Sequence, residues 1–196
     1  MISHYLCKMK YFFLANIVKR KLLRDVSSDH KGRYVPLASA KRIGFIFDAS
    51  EPDIDKGIEI LVKTLDSKGI AYKAAYVDFR KKKYRRPLSV KSSSIVLLNR
   101  KNRKWNGLPA ENVFRSFVSE PFDIIIDLTQ SRRVTPLEYL FSASQAAFRI
   151  GVYPNRYLSY DMAVTKDNSG NKNDEEVPLS ELVSNIIKYL TFIQSV

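Results

Sequence analysis

Several apolar runs in the chain carry an aspartate at or near one end: Asp48 in IGFIFDAS, Asp78 in AYKAAYVDF, Asp127 in FDIIIDLTQ and Asp161 in SYDMAV. If these runs are parallel strands, ligands would bind beyond their carboxyl ends, so Asp48 and Asp127, with Thr129, Gln130 and Arg132 after them, outline a candidate ligand pocket. A pair such as Asp48 and Asp127 suits a magnesium ion or acid-base work, and equally suits capping of the helices that follow. Arg132 and Arg133 are the cations placed where a bound anion would lie, although solvent-facing charge is the commoner use of such residues. The turn after the first run, DASEPDID, has no glycine. Its Glu51, Asp53 and Asp55 would repel a phosphate from the following helix start, so a dinucleotide loop is not expected. His4 and His30 fall outside the predicted domain, and Cys7 reads as an incidental thiol. No catalytic set, metal site or cofactor is therefore predicted, and the chain reads more readily as a binding protein than as an enzyme.

A second constellation is electrostatic. The formal net charge is +13, and it is gathered rather than spread. Residues 1–36 hold eight Lys/Arg against two Asp, residues 80–104 hold eleven Lys/Arg and no acid, and the remainder carries a net −4. The second stretch, RKKKYRRPLSVKSSSIVLLNRKNRKW, sets Arg80, Lys81, Lys82, Lys83, Arg85 and Arg86 on one side of a strand-like run and Arg100, Lys101, Arg103 and Lys104 on the other. Tyr84 and Trp105 stand among them. Planar rings beside cations suit stacking on unpaired bases while the charges neutralise phosphates. Lys19, Arg20, Lys21 and Arg24 would add to that footprint. A merely solubilising surface, or an acidic protein or lipid partner, is the competing use of such a pattern.

The elements that must position these residues follow from periodicity. Ile2, Tyr5, Leu6, Met9, Phe12, Phe13 and Ile17 recur at helical spacing, with Lys8, Lys10 and Lys19 off that face, predicting a basic amphipathic helix over 1–24. Such a helix packs on its own domain, docks on a larger partner, or lies on an anionic membrane surface. Residues 25–40 lack periodicity and read as a linker, so the domain is predicted over 41–196. Within it, runs at 43–49, 71–79, 93–99, 122–128, 148–153 and 159–164 read as strands. Helices are predicted from Ile54 to a stop at Gly69, from Pro136 through Ala147, and from Leu179 to Ile193. Wholly apolar strands alternating with helices imply α/β architecture: a Rossmann-like three-layer sandwich around a mostly parallel sheet of about five strands.

The totals agree. A chain of 196 residues with 45% apolar content closes one core. One cysteine forms no internal disulfide, and cysteines and histidines are too few for structural zinc, which points to the cytoplasm. The run YFFLANIV is too short to span a bilayer, and Lys19, Arg20 and Lys21 follow it where a secretory signal would place small residues. Met9 is an alternative start to Met1.

The order IGFIFDAS, WNGLPAENVFRSFVSEPFDIIIDLTQ, PLEYLFSASQAAFRIGVY, YDMAV and a closing amphipathic helix resembles a bacterial family of short proteins known only as a domain of unknown function. The resemblance covers about residues 41–194. It is carried by Trp105 and Gly107, by FDIIIDL, and by Ser144, Ala146, Phe148, Ile150 and Gly151. It implies the α/β fold and no particular activity. The aspartate-bearing strand, helix and RIG also look like part of the first half of heptosyltransferase-type glycosyltransferases, whose second, nucleotide-sugar-binding half has no counterpart here. The leading expectation is thus a noncatalytic protein that docks on RNA or the ribosome through the basic loop and N-terminal helix. The alternative is a small ligand-binding or transferase-like module that takes a nucleotide or sugar phosphate at the strand ends.

Overall fold

The structure, a computed structural model, describes residues 30–81, 83, 85, 88–90, 95–98, 100–102, 104, 108–130, 135–152, 158–164 and 177–193. The predicted helix over 1–24 lies outside the described residues. Six strands form one sheet: β1 (Arg42–Asp48), β2 (Ala71–Val77), β3 (Ile95–Leu97), β4 (Ile124–Asp127), β5 (Phe148–Gly151) and β6 (Met162–Ala163). Their order is β3-β2-β1-β4-β5-β6, and every pairing is parallel. Four helices complete the described fold: α1 (Ile54–Ser67), α2 (Glu111–Val118), α3 (Thr135–Ala143) and α4 (Leu179–Phe192).

The period of two along a strand sends successive side chains to opposite faces. Ile43, Phe45 and Phe47 of β1, with Ile124 and Ile126 of β4, therefore join the core under α1 and α4. Ile46 and Ile125 point the other way and pack with Val113 and Phe117 of α2 and Leu137, Leu140 and Phe141 of α3. Both faces are covered, which explains why the strands are predominantly apolar, with Lys73 in β2 and Arg149 in β5 as cations within them. The three-layer α/β sandwich is thus present, and its six strands each overlap one of the six runs read as strands; β6 is only two residues long.

Helix α1 stops as the sequence predicts. Gly69 takes φ 67°, its amide bonds to Asp66 O at 3.1 Å, and the Ile70 amide bonds to Leu65 O at 2.9 Å. This paired closure satisfies two carbonyls at the helix end and requires a left-handed residue at position 69. Elsewhere the structure departs from the expected boundaries. Residues 30–40, read as linker, have no helix or strand yet pack against the domain: Val35, Leu37 and Ala40 are buried, and the Leu37 amide bonds to Leu190 O at 2.8 Å. The packed unit therefore includes His30 onward rather than starting at Lys41, because an irregular segment can bury side chains without any periodicity. Helix α2 is an addition. Helix α3 ends at Ala143, short of the expected Ala147, since the Arg149 guanidinium donates to Ser142 O at 3.0 Å and Ser144 O at 2.8 Å and holds the last carbonyls away from a further turn.

Candidate functional site

The chain runs outward from β1 through β2 to β3, then returns to the other side of β1 for β4, β5 and β6. The reversal lies between β1 and β4, and this is where open α/β sheets leave a crevice beyond the strand ends. Asp48 closes β1 and Asp127 closes β4, with Asp127 in register with Ile46. The topology therefore brings the two predicted acids to the two sides of one crevice, with Thr129 and Gln130 in the loop after β4. Arg132 lies outside the described residues.

Both acids are buried and bonded to their own loops. Asp48 Oδ1 accepts the Ser50 amide at 2.9 Å. Asp127 Oδ1 accepts the Thr129 amide at 2.9 Å and the Thr129 hydroxyl at 2.6 Å, and its Oδ2 accepts the Tyr160 hydroxyl at 2.7 Å. Burial pushes the Asp127 carboxyl up to about 6, against the three hydrogen bonds that favour its anion, and the neighbouring charge of buried Glu138 adds to the rise. The same surroundings raise Tyr160, chiefly through burial and then through the Asp127 charge, so Tyr160 stays a donor. Tyr160 reaches Asp127 because its ring crosses Gly151, the residue paired with Asp127 on β5; a Cβ there would lie 2.6 Å from the ring.

Glu51 joins the two sides of the crevice. Its carboxylate is buried and accepts the Gln130 amide at 3.3 Å. The Gln130 side-chain nitrogen is buried with no partner among the described residues. Asp53, at the start of α1, has φ 58°, a conformation that aspartate tolerates better than most residues. Its carboxylate accepts from the Ser180 hydroxyl and from the Ser180 amide at 3.3 Å, which ties the β1–α1 turn to the first turn of α4. The hydrogen bond from the Ser180 hydroxyl is the largest influence holding the Asp53 carboxyl below its usual range. Among the described residues no group of three His, Cys, Asp or Glu side chains is arranged to hold a metal ion.

The remaining predicted acids part company. Asp161 precedes β6 and so belongs to the amino end of the sheet, because the strand is confined to Met162–Ala163; its Oδ2 accepts the Arg149 amide at 2.7 Å. His30 lies 2.8 Å from the same oxygen, placing this histidine on the domain, away from the crevice. Asp78, just past β2, holds the start of the basic segment. Arg80 makes a forked contact with it, Nε to Oδ1 at 3.0 Å and Nη2 to Oδ2 at 3.3 Å, and Arg85 approaches Oδ2 at 3.5 Å. Burial raises the Asp78 carboxyl, but the hydrogen bonds and charges of Arg80 and Arg85 together outweigh it and hold the group below its usual value.

Around edge strand β3, Lys81, Lys83, Arg85, Lys101 and Lys104 are exposed. Lys104 pairs with Glu111 at 3.3 Å, and its amide bonds to Leu108 O at 2.7 Å, which fixes the return toward α2. Arg100 opens a short 3-10 turn, Arg100–Asn102. Lys19, Arg20, Lys21, Arg24, Lys82, Tyr84, Arg86, Arg103 and Trp105 lie outside the described residues. The structure thus gathers two distinct groups: buried, engaged carboxylates at the strand reversal, and cations along one sheet edge. Sequence reasoning missed Tyr160 and Glu138 at the crevice. Tyr160 stands 33 residues from Asp127, and nothing local marks the contact.

Comparison with solved structures finds similarity to the crystal structure of an exopolyphosphatase-related protein from Bacteroides fragilis, with a TM-score of 0.52 and 17% sequence identity over 78% of this chain. The match covers 41% of that protein, so the present chain spans well under half of it. At this identity the likeness is one of fold. No curated protein matches the sequence significantly. The likeness to heptosyltransferase-type glycosyltransferases finds no counterpart in these matches. Residues 10–193 match the pattern of a family of unknown function, a span that takes in the whole described sheet, all four helices and part of the N-terminal segment. The chain belongs to that family, DUF6913.

Proposed function

We propose that this protein is a noncatalytic RNA-binding protein, and that it docks on ribosomal or other structured RNA through residues 80–104 with help from Lys19, Arg20, Lys21 and Arg24. The observation that supports this most is the charge of the segment around β3. Eleven Lys/Arg and no acid occupy 80–104, and of these Lys81, Lys83, Arg85, Lys101 and Lys104 are exposed. A cationic run of this density is suited to neutralising phosphates, and Tyr84 and Trp105 provide faces for bases. The reading sets the protein in the cytoplasm. Among the described residues no helix is long and apolar enough to cross a membrane.

The test is fluorescence anisotropy with a structured RNA fragment over a range of salt. Lys81, Lys82 and Lys83 are replaced together by Glu, sparing Arg80 because its pairing with Asp78 shapes the loop. Each lost phosphate contact lowers the slope of log affinity against log salt by roughly 0.7 on single strands and 0.9 on duplex, so the triple variant is expected to flatten it by about 2 to 3. A slope equal to that of the parent protein overturns the assignment of this loop.

A second reading is favoured by one detail: at the strand reversal the Gln130 side-chain nitrogen is buried with no partner among the described residues, three residues after Asp127, whose carboxyl burial raises to about 6. A buried donor without an acceptor is what a small phosphorylated ligand would satisfy. Thermal shift against a panel of nucleotides and sugar phosphates tests it. A ligand whose stabilisation disappears in Gln130→Ala supports the reading, and a panel with no response ends it.

A further inference from the structure

Tyr189 and Phe192 in the last turn of α4, and Ile193 just after it, are exposed to solvent, at 48%, 73% and 44%. Tyr189 lies three residues beyond buried Ile186 and Ile193 three beyond buried Leu190, so this group continues the core stripe to the end of the helix, with Phe192 beside it. An apolar patch of this kind on a helix end usually marks a contact surface. The chain enters the domain beside it: the Tyr34 hydroxyl donates to Ile193 O at 2.6 Å, and the Leu37 amide bonds to Leu190 O. We infer that this face of α4 is the docking surface for the chain's own N-terminal segment, received through the apolar stripe that includes Phe12, Phe13 and Ile17.

Three observations favour this occupant. The first is reach. Twelve residues separate Ile17 from His30, a length of about 20 Å as helix or as flexible coil, and α4 with its 14 residues is itself about 21 Å long. A short tether of this kind gives an effective concentration in the millimolar range, against which a second copy at ordinary concentration competes poorly. The second is charge. The last turn of α4 has no basic residue of its own to offset the negative end of the helix dipole, and the stripe is followed by Lys19, Arg20, Lys21 and Arg24. The third is extent: the family match runs from residue 10 to residue 193, so Phe12, Phe13 and Ile17 belong to the same shared unit as the patch.

Cys7 is the single cysteine, which makes the test direct. A nitroxide attached to Cys7 of the full chain broadens nuclear magnetic resonance signals from nearby amides. Loss of signal at residues 189–193 is expected in the isotope-labelled, nitroxide-tagged protein. The loss should be reversed by Phe192→Asp, a change at an exposed position that leaves the core intact. Labelled untagged protein mixed with unlabelled tagged protein should show no such loss. Undiminished signals at 189–193 in the tagged protein overturn the inference. Equal loss in the mixed sample overturns it as well, by assigning the surface to a second copy.

Discussion

Replacing Asp127 by Asn should convert a pH-dependent part of the protein's stability into a constant one. The carboxyl is buried, and its value rises from an ordinary 3.8 to about 6 in the folded state. The native state therefore holds a proton on this group where the unfolded chain has already released it. Its contribution to stability is fully present below pH 3.8, declines as pH rises through about 6, and is gone above that. The rise corresponds to roughly 3 kcal/mol, a substantial share of the stability of a domain this size. Asparagine cannot ionise, yet its carbonyl can still accept from Thr129 while its amide faces Tyr160. Any change in hydrogen-bond quality is the same at every pH. The informative quantity is the difference in unfolding free energy between Asp127→Asn and the parent protein, measured by urea titration from pH 4.5 to 8. That difference should move in favour of the variant by about 2 kcal/mol over this range, out of roughly 3 kcal/mol for the full titration that begins below pH 3.8. A difference that stays flat with pH would refute the burial argument, since it would mean that the carboxylate is solvated as well in the folded as in the unfolded protein.

Other substitutions probe the parts that support this site. Tyr160→Phe removes a hydrogen bond that favours the Asp127 anion, so the midpoint of the pH-dependent loss should move above 6, with an added cost of about 1.5–3 kcal/mol at pH 8 and much less at pH 4. The same urea series reads both. Gly69→Ala should cost about 1–2 kcal/mol, because the left-handed backbone is required there while no atom lies within 4 Å of an added Cβ; a neutral result would show that the α1 closure can shift. Phe117→Ala removes a fully buried ring that packs 5.1 Å from Phe122, with an expected loss of about 3–5 kcal/mol in chemical denaturation.

What the sequence revealed and what it hid divide along physical lines. Strands β1 and β4 were legible because burial on both faces leaves uninterrupted apolar runs, β2 and β5 because their runs are broken only by Lys73 and Arg149, and α4 because its stripe spans four turns. Helix α2 was not expected. It is eight residues long and rests on Val113 and Phe117, a pair at i and i+4 too brief to establish a period, although Pro109 before it is a usable start signal. Residues 30–40 escaped for a different reason: Val35, Leu37 and Ala40 bury themselves through tertiary contacts with no repeating geometry. At the crevice, placing Asp48 and Asp127 at strand ends required only the apolar runs. Their partners required topology. Glu51 meets Gln130 across 79 residues and His30 meets Asp161 across 131, and no local pattern announces either contact.

The brevity of the two outer strands bears on how the molecule behaves at high concentration. β3 and β6, of three and two residues, terminate the sheet. A short rim offers few backbone groups to a neighbouring copy, and the rim at β3 is also flanked by a dense run of like charge. Strand addition between copies is therefore opposed twice over, by a lack of pairing sites and by mutual repulsion. Reversing charges near β3 would weaken the second of these safeguards, leaving strand length as the main resistance to polymerisation.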